Sequence, residues 1–248
     1  MEYSYRAILL KKYDIGETDR MYSMFTQEGG KIRAVARGVR KSEAKLASQL
    51  ETLNFAHISV MRGRGRGVIV SAVAEQNFPR IRESERALHS ALLAVSLIHT
   101  HVEEGECDRE LFSLLLLFLQ SLEIVSALTC ADAEEKNRFE EKVQLLFHGF
   151  AWKFLERLGY GIEMRSCAVG HEAFRKGDHY FFRSDVGGVV CSEHADGSQC
   201  AIPFSENAVK SLRIFFSNSI VALPKLRLKK SVFRELDMAL KNFLNWVR

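Results

Sequence analysis

The ten residues GGKIRAVARG, Gly29 to Gly38, decide the fold of the first third of this 248-residue chain. The paired glycines predict a hairpin turn, and the residues after them alternate with the two-residue period of a β-strand. On such a strand Lys31, Arg33 and Arg37 project from one face, while Ile32, Ala34 and Ala36 point the other way. The stretch therefore predicts a strand with a buried face and a basic face.

Short strand-like runs continue on both sides of this stretch through the first 80 residues. The runs, rich in β-branched and aromatic residues, are Arg6 to Tyr13, Arg20 to Thr26, Lys31 to Gly38, Leu53 to Arg62 and Gly67 to Phe78. Helix formers between Ser42 and Leu50 predict a short helix between the third and fourth strands. Five strands with a helical insertion at that place follow the order of the OB-fold barrel.

The period changes to that of helices after Pro79. We expect helices over 84–104, 108–128, 132–158, 205–217 and 231–247, with two strand pieces at 178–183 and 188–191. The fold class is therefore α+β: a five-stranded OB-fold β-barrel followed by an all-α domain with a small β insertion, which the family resemblance given below implies is zinc-finger-like. The predicted domains are 1–80 for the OB-fold barrel, 81–165 and 204–248 for the helical domain, and 166–203 for the insertion.

Positive charge is concentrated in the predicted barrel. Residues 1–80 carry 14 Lys or Arg and 8 Asp or Glu, a balance of +6, which leaves −2 of the total net charge of +4 for the rest. Nine basic residues stand between positions 31 and 66, and they are the candidate nucleic-acid contacts: Lys31, Arg33, Arg37, Arg40, Lys41, Lys45, Arg62, Arg64 and Arg66. The RGRGRG run from Arg62 to Gly67 lets the backbone approach a polyanion, although a solvated hairpin tip is an equal alternative.

Cysteine and histidine residues in the insertion form a candidate metal site. Cys167, His171, Cys191 and His194 offer two thiolates and two imidazoles, a ligand set that suits a structural zinc ion. The spacing is not a standard one, and Cys200 is a competing ligand. Two unrelated thiols with surface histidines remain the alternative, so zinc is a cofactor only if this site forms.

Several other classes of protein are not favoured. The longest apolar run, Leu111 to Leu119, is too short to cross a bilayer, and no secretory signal precedes it. Five cysteines without a signal peptide favour free thiols or metal ligands in a reducing compartment, which predicts a cytoplasmic protein. No nucleophile elbow, Walker loop or HExxH helix is present in the sequence, so no catalytic residues are assigned.

Six segments of the chain resemble the RecO family of bacterial DNA-repair proteins. The segments are Arg6 to Lys11, Gly16 to Arg20, Phe25 to Arg40, Lys45 to Leu50, Leu158 to Gly161 and Leu228 to Phe233. The resemblance implies a non-catalytic mediator that binds single- and double-stranded DNA and anneals complementary strands. It also implies that the protein helps load RecA on DNA coated by single-strand-binding protein, near the nucleoid and with RecR as partner.

The resemblance carries two further expectations. Many relatives have two C-x2-C pairs in the insertion, whereas here Gly170 stands at the second cysteine and His194 at the fourth, which leaves His171 as a substitute ligand. The C-terminal tail of single-strand-binding protein is expected to dock on the helical domain. Four basic residues lie there along an otherwise apolar helix: Arg138, Lys142, His148 and Lys153. The alternatives are a zinc-dependent nucleic-acid-modifying enzyme and an OB-type RNA-binding protein.

Overall fold

The computed structural model describes residues 1–41, 44–63, 66–127, 132–175, 177–195 and 201–247. Backbone contacts divide the chain into two compact units, Met1–Phe139 and Glu140–Arg248. Of the residues singled out in the sequence, Arg64 and Cys200 lie outside the described ranges. The two units are taken in turn below.

Five strands form a closed barrel in the first unit. They are β1 (Glu2–Ile15), β2 (Asp19–Thr26), β3 (Gly30–Ala36), β4 (Phe55–Met61) and β5 (Gly67–Gln76), in the order β1-β2-β3-β5-β4. The short helix α1 (Leu46–Gln49) lies between β3 and β4 in the chain. The predicted OB-fold barrel with its helical insertion is thus confirmed.

Side chains along β3 alternate between the barrel core and the surface. Ile32, Ala34 and Ala36 are buried in the barrel core, as the two-residue period predicted. Parallel pairing of Ala34 with Gly67 joins β3 to β5 and closes the barrel. Because β5 begins at Gly67, this pairing brings Arg66, the residue before β5, near the middle of β3.

Helices follow the barrel, and polar side chains mark where several of them begin. They are α2 (Pro79–Glu83), α3 (Glu85–His101), α4 (Arg109–Ser126) and α5 (Ala133–Arg157). Ser84 accepts a hydrogen bond from the backbone N–H of Ala87, and Asp108 accepts from two N–H groups of the first turn of α4. No helix in the described part of the chain is long and apolar enough to span a membrane.

The outer face of the barrel is covered by aromatic packing from α4. The Phe112 ring lies 5.9 Å from the Phe25 ring and 6.2 Å from the Phe55 ring, centroid to centroid. All three side chains are fully buried, and burying a phenylalanine stabilises a fold by roughly 1.5–3 kcal/mol. Phe25 and Phe55 therefore belong to the contact between barrel and helices.

The second unit combines helices with a small antiparallel sheet. Its strands are β6 (Tyr180–Arg183), β7 (Gly188–Cys191) and β8 (Ala201–Phe204), in the order β7-β6-β8. The helices in this unit are the end of α5, α6 (Ser192–Ala195), α7 (Glu206–Ser217), a 3-10 helix (Ile220–Lys225) and α8 (Lys230–Trp246). Trp152 packs against Phe182 and Phe243 at centroid distances of 5.9 and 6.0 Å, which joins α5, β6 and α8 in one core. The predicted α+β class is confirmed.

Candidate nucleic-acid interface and metal centre

An open groove of about 600 Å³ lies on the barrel and is rimmed by arginines. Arg33 of β3 lines it together with Arg62 and Arg66, which stand on either side of the β4–β5 turn. All three side chains are exposed. Two parts of the predicted basic cluster, 29 residues or more apart in sequence, therefore meet in one groove.

Lys31 also lines the groove, but its ammonium group has an internal partner. The side chain is buried, and Nζ donates a hydrogen bond to the carbonyl oxygen of His99 at 2.9 Å. Burial lowers the pKa of Lys31, and the neighbouring Arg33 lowers it further. In the free protein, Lys31 thus connects β3 to α3 and does not extend the exposed basic stripe.

An acidic loop borders the same groove. Glu104 follows α3 in the chain, and its Oε1 lies 2.5 Å from Nε of Arg33. The next residue, Gly105, donates its backbone N–H to the carbonyl of Lys31 at 2.8 Å, so the loop is fixed to β3. This contact was missed in the sequence, where the only signal was the acidic EEGE run from Glu103 to Glu106.

Three other basic residues of the predicted set lie at the β1–β2 turn. Arg40 donates to the carbonyl of Gly16 at 2.9 Å and lies 3.8 Å from Asp14, while Arg37 and Lys41 are exposed nearby in sequence. These three residues are not among the described residues that line the groove. Lys45, just before α1, is exposed as well and is also absent from the groove lining.

Three aromatic side chains of β1 and β2 make internal contacts. Tyr22 and Phe25 are buried, and the Tyr13 hydroxyl lies 2.8 Å from Nε2 of His99. Tyr3, which the sequence analysis did not single out, is 41% exposed and lies next to Arg62. Its signal in the sequence was the alternating Tyr3 and Tyr5 at the start of β1.

Three of the four predicted metal ligands come together in the second unit. The ligand atoms of Cys167, Cys191 and His194 all lie within 4.8 Å of one another, with the Cys191 Sγ 3.1 Å and the Cys167 Sγ 3.5 Å from His194 Nδ1. Cys191 ends β7 and His194 lies on α6, so the short β7–α6 connection sets the spacing of this pair. His171 is not part of this group, and its backbone N–H donates to the carbonyl of Cys167.

The chemistry of these three residues fits a metal ion. Burial raises the pKa of Cys167, but backbone N–H donors, first among them Gly170 at 3.4 Å, outweigh it and bring the pKa below its ordinary value. The same N–H donors would stabilise a metal-bound thiolate. The cluster could therefore bind a metal, with Cys167, Cys191 and His194 as three of the four ligands that a structural zinc ion needs.

Gly170 and His194 depend on each other sterically. A Cβ atom at position 170 would lie 2.7 Å from Cε1 of His194, a distance too short for carbon atoms. The imidazole ring of His194 thus occupies the space that a side chain at position 170 would need. A residue without a side chain at 170 and a histidine at 194 form one compatible pair.

Two of the basic residues expected along α5 have internal partners in the second unit. His148 is buried, with Nε2 2.8 Å from a carboxylate oxygen of Asp237. Lys153 donates to the carbonyl of Phe216 at 3.0 Å, and burial lowers its pKa. Arg138 is exposed and Lys142 is half-buried, so these two are the accessible members of the set.

The basic barrel, the helical region and the Cys/His cluster define an α+β protein with a candidate polyanion groove and a candidate metal centre, and family comparisons specify which family it belongs to. The chain matches the family Recombination protein O N terminal over residues 1–78 and Recombination protein O C terminal over residues 82–247. It therefore belongs to the RecO family, which confirms the resemblance seen in the sequence.

Individual relatives resemble the chain over nearly its whole length. The DNA repair protein RecO of Dehalococcoides mccartyi is 28% identical over 246 residues, which covers 99% of this chain and 90% of that protein. The proteins of the same name from Bacillus cereus and Bacillus anthracis are each 26% identical over 236 residues, covering 95% of this chain and 88% of theirs. The likeness includes both compact units.

Proposed function

We propose that this protein is a non-catalytic mediator of recombinational DNA repair. It binds single- and double-stranded DNA, anneals complementary strands and helps load RecA on DNA coated by single-strand-binding protein. Membership in the RecO family supports this role at the level of DNA repair and recombination. The observation that carries the DNA-binding part is the groove in which Arg33, Arg62 and Arg66 converge.

The groove suits a polyanion because its arginines are exposed and lie on the same open surface. Guanidinium groups bind phosphate oxygens through paired N–H donors, and such contacts do not distinguish one base sequence from another. Binding of this kind serves an annealing protein, which has to act on whichever strands are exposed. The remaining exposed cations, Arg37, Arg40, Lys41 and Lys45, would extend the positive surface on the barrel.

A triple substitution of Arg62, Arg64 and Arg66 by Ala tests the proposal. We expect weaker binding to single-stranded DNA by a similar factor for every sequence, because phosphate contacts are lost. Each lost contact should also flatten the slope of log K against log salt by roughly 0.7. The matched control replaces Arg86, Arg109 and Arg234, which removes the same charge from exposed arginines that are not among the described residues lining the groove.

Two results separate this proposal from the alternatives. A folded triple variant that binds and anneals like the parent would show that the loop is a solvated hairpin tip. Tighter binding to RNA than to DNA oligonucleotides of the same sequence would favour an OB-type RNA-binding protein. Turnover of a nucleic-acid substrate that stops on chelation would favour the zinc-dependent enzyme.

The proposed partners are RecR and the C-terminal tail of single-strand-binding protein, in a cytoplasmic, nucleoid-associated setting. For the tail, α5 offers the accessible cations Arg138 and Lys142, whereas His148 and Lys153 have internal partners. A peptide with an acidic, Phe-ended C-terminus is therefore expected to bind more weakly to the variant with Ala at 138 and 142. Absence of binding to the parent at low salt would remove this partner from the proposal.

A further inference from the structure

Tyr3, Tyr5 and Arg62 form an aromatic and cationic stack beside the basic groove. The Tyr3 and Tyr5 rings are 6.3 Å apart with an interplanar angle of 18°. The Arg62 guanidinium carbon lies 5.6 Å from the centroid of Tyr3 and 5.7 Å from that of Tyr5. Since Arg62 also lines the groove, the stack is continuous with the surface proposed to hold phosphates.

The stack is held in place by backbone pairing at one end of the barrel. Tyr3 is paired with Val60 in the antiparallel register of β1 and β4. The terminal amino group of Met1 donates to the carbonyl of Arg62 at 3.1 Å, and the Arg62 N–H donates to the carbonyl of Met1 at 2.9 Å. Tyr3 is therefore positioned by a strand, and Arg62, the residue after β4, by its two backbone hydrogen bonds to Met1.

The two tyrosines differ in how much of the ring solvent can reach. Tyr5 is 6% exposed and belongs to the barrel core, whereas Tyr3 is 41% exposed. The Tyr3 hydroxyl donates to the sulfur of Met1 at 3.6 Å, a weak acceptor on a side chain that is itself 88% exposed. The exposed feature of Tyr3 is thus its aromatic surface, backed by a fixed core residue.

We infer that Tyr3 stacks on an unpaired base of a DNA strand whose phosphates lie along Arg33, Arg62 and Arg66. The inference rests on the proposed function and adds a source of preference for single strands. Aromatic rings stack on any unpaired base, so the contact tolerates every sequence. A base inside a duplex has both faces covered by its neighbours, so the same contact is not available there. The stack at Tyr3 thus favours single strands, while the arginines serve both forms.

Three ligands of equal length separate stacking from charge: a thymidine oligonucleotide, an abasic oligonucleotide and a duplex. We expect Tyr3→Leu to bind the thymidine strand roughly 5- to 150-fold more weakly, as for loss of one stacked base. Its binding to the abasic strand and to the duplex should equal that of the parent. Tyr3→Phe keeps the ring and should retain tight binding to the thymidine strand. Unchanged melting temperatures would show that both variants fold.

The charge control is Arg66→Ala, which should weaken binding to all three ligands because it removes a phosphate contact. If Tyr3→Leu binds the thymidine strand like the parent, or loses the same factor in affinity for all three ligands, Tyr3 does not stack on a base. If Arg66→Ala binds all three ligands like the parent while Tyr3→Leu weakens binding to the thymidine strand alone, the proposed phosphate contacts are wrong. The stacking contact of Tyr3 would then be supported without them. A parent protein that binds none of the three would overturn both.

Discussion

In the free protein, Arg33 is paired with Glu104, Nε to Oε1 at 2.5 Å, although Arg33 is a proposed phosphate contact. The Arg33 and Glu104 side chains are 44% and 51% exposed, and exposed pairs of this kind are typically worth only about 0.2–1 kcal/mol. A phosphate group can therefore displace the carboxylate at small cost. If Arg33 binds phosphate, Glu104 would compete with the phosphate for the same guanidinium.

The first prediction is that Glu104→Gln binds single-stranded DNA more tightly than the parent at low salt. We expect a gain of up to about fivefold, because the substitution removes the competing carboxylate and a negative charge from the groove. The gain should shrink as salt screens the interaction. Fluorescence anisotropy across a salt series measures it, with Glu134→Gln, exposed on α5, as the matched control. Equal or weaker binding by the Glu104 variant would contradict the competitor role.

Arg33 and Lys31 show which features of this site the sequence could predict and which it could not. The two-residue period correctly predicted that Ile32 and Ala34 face the core and that Arg33 is exposed. It also predicted an exposed Lys31, which the structure shows to be buried under α3. The reason is long-range: the carbonyl that accepts from Lys31 belongs to His99, 68 residues later, and strand periodicity carries no information about it.

Short elements and long-range contacts account for most of what the sequence missed. α6 and β8 were missed: each has four residues, and neither has the run of aromatic or β-branched residues that marked the equally short β6 and β7. The predicted set of zinc ligands was chosen by residue type and by the family resemblance, which included His171 although it stands outside the cluster. Tyr3 was missed because only the barrel closure places Arg62 over its ring.

The second prediction concerns the metal: purified protein should carry about one zinc ion per chain, and a chelator should lower its melting temperature. Structural zinc contributes directly to the free energy of folding, because the unfolded chain does not hold the ligands together. Cys191→Ser should lose the metal, whereas Cys107→Ser, an exposed cysteine of the first unit, should keep it. Purified protein that contains no metal, and whose melting temperature does not change when a chelator is added, would contradict the site.

The third prediction uses the steric relation between Gly170 and His194. Gly170→Cys alone should weaken zinc binding, because its Cβ would lie 2.7 Å from the imidazole. Adding His194→Cys removes the ring, creates two C-x2-C pairs and should restore the metal. Zinc content and chelator competition of the single and double variants provide the measurement. A single variant that binds zinc as tightly as the parent would show that the two positions do not interact.

The fourth prediction is a pH dependence that comes from His99. Burial lowers the pKa of His99 below the ordinary 6.5, and Lys31, Lys11 and Arg33 lower it further against the opposing charge of Glu104. As pH falls through 6.5, the unfolded chain takes up a proton that the folded protein does not, so the free energy of unfolding decreases. His99→Gln cannot titrate and should lose less stability than the parent between about pH 8 and 5, as chemical denaturation at each pH would measure. The difference in the free energy of unfolding between the parent and His99→Gln should therefore become smaller as the pH is lowered. Parallel stability curves for the two proteins over this range would show that His99 protonates equally in the folded and unfolded states.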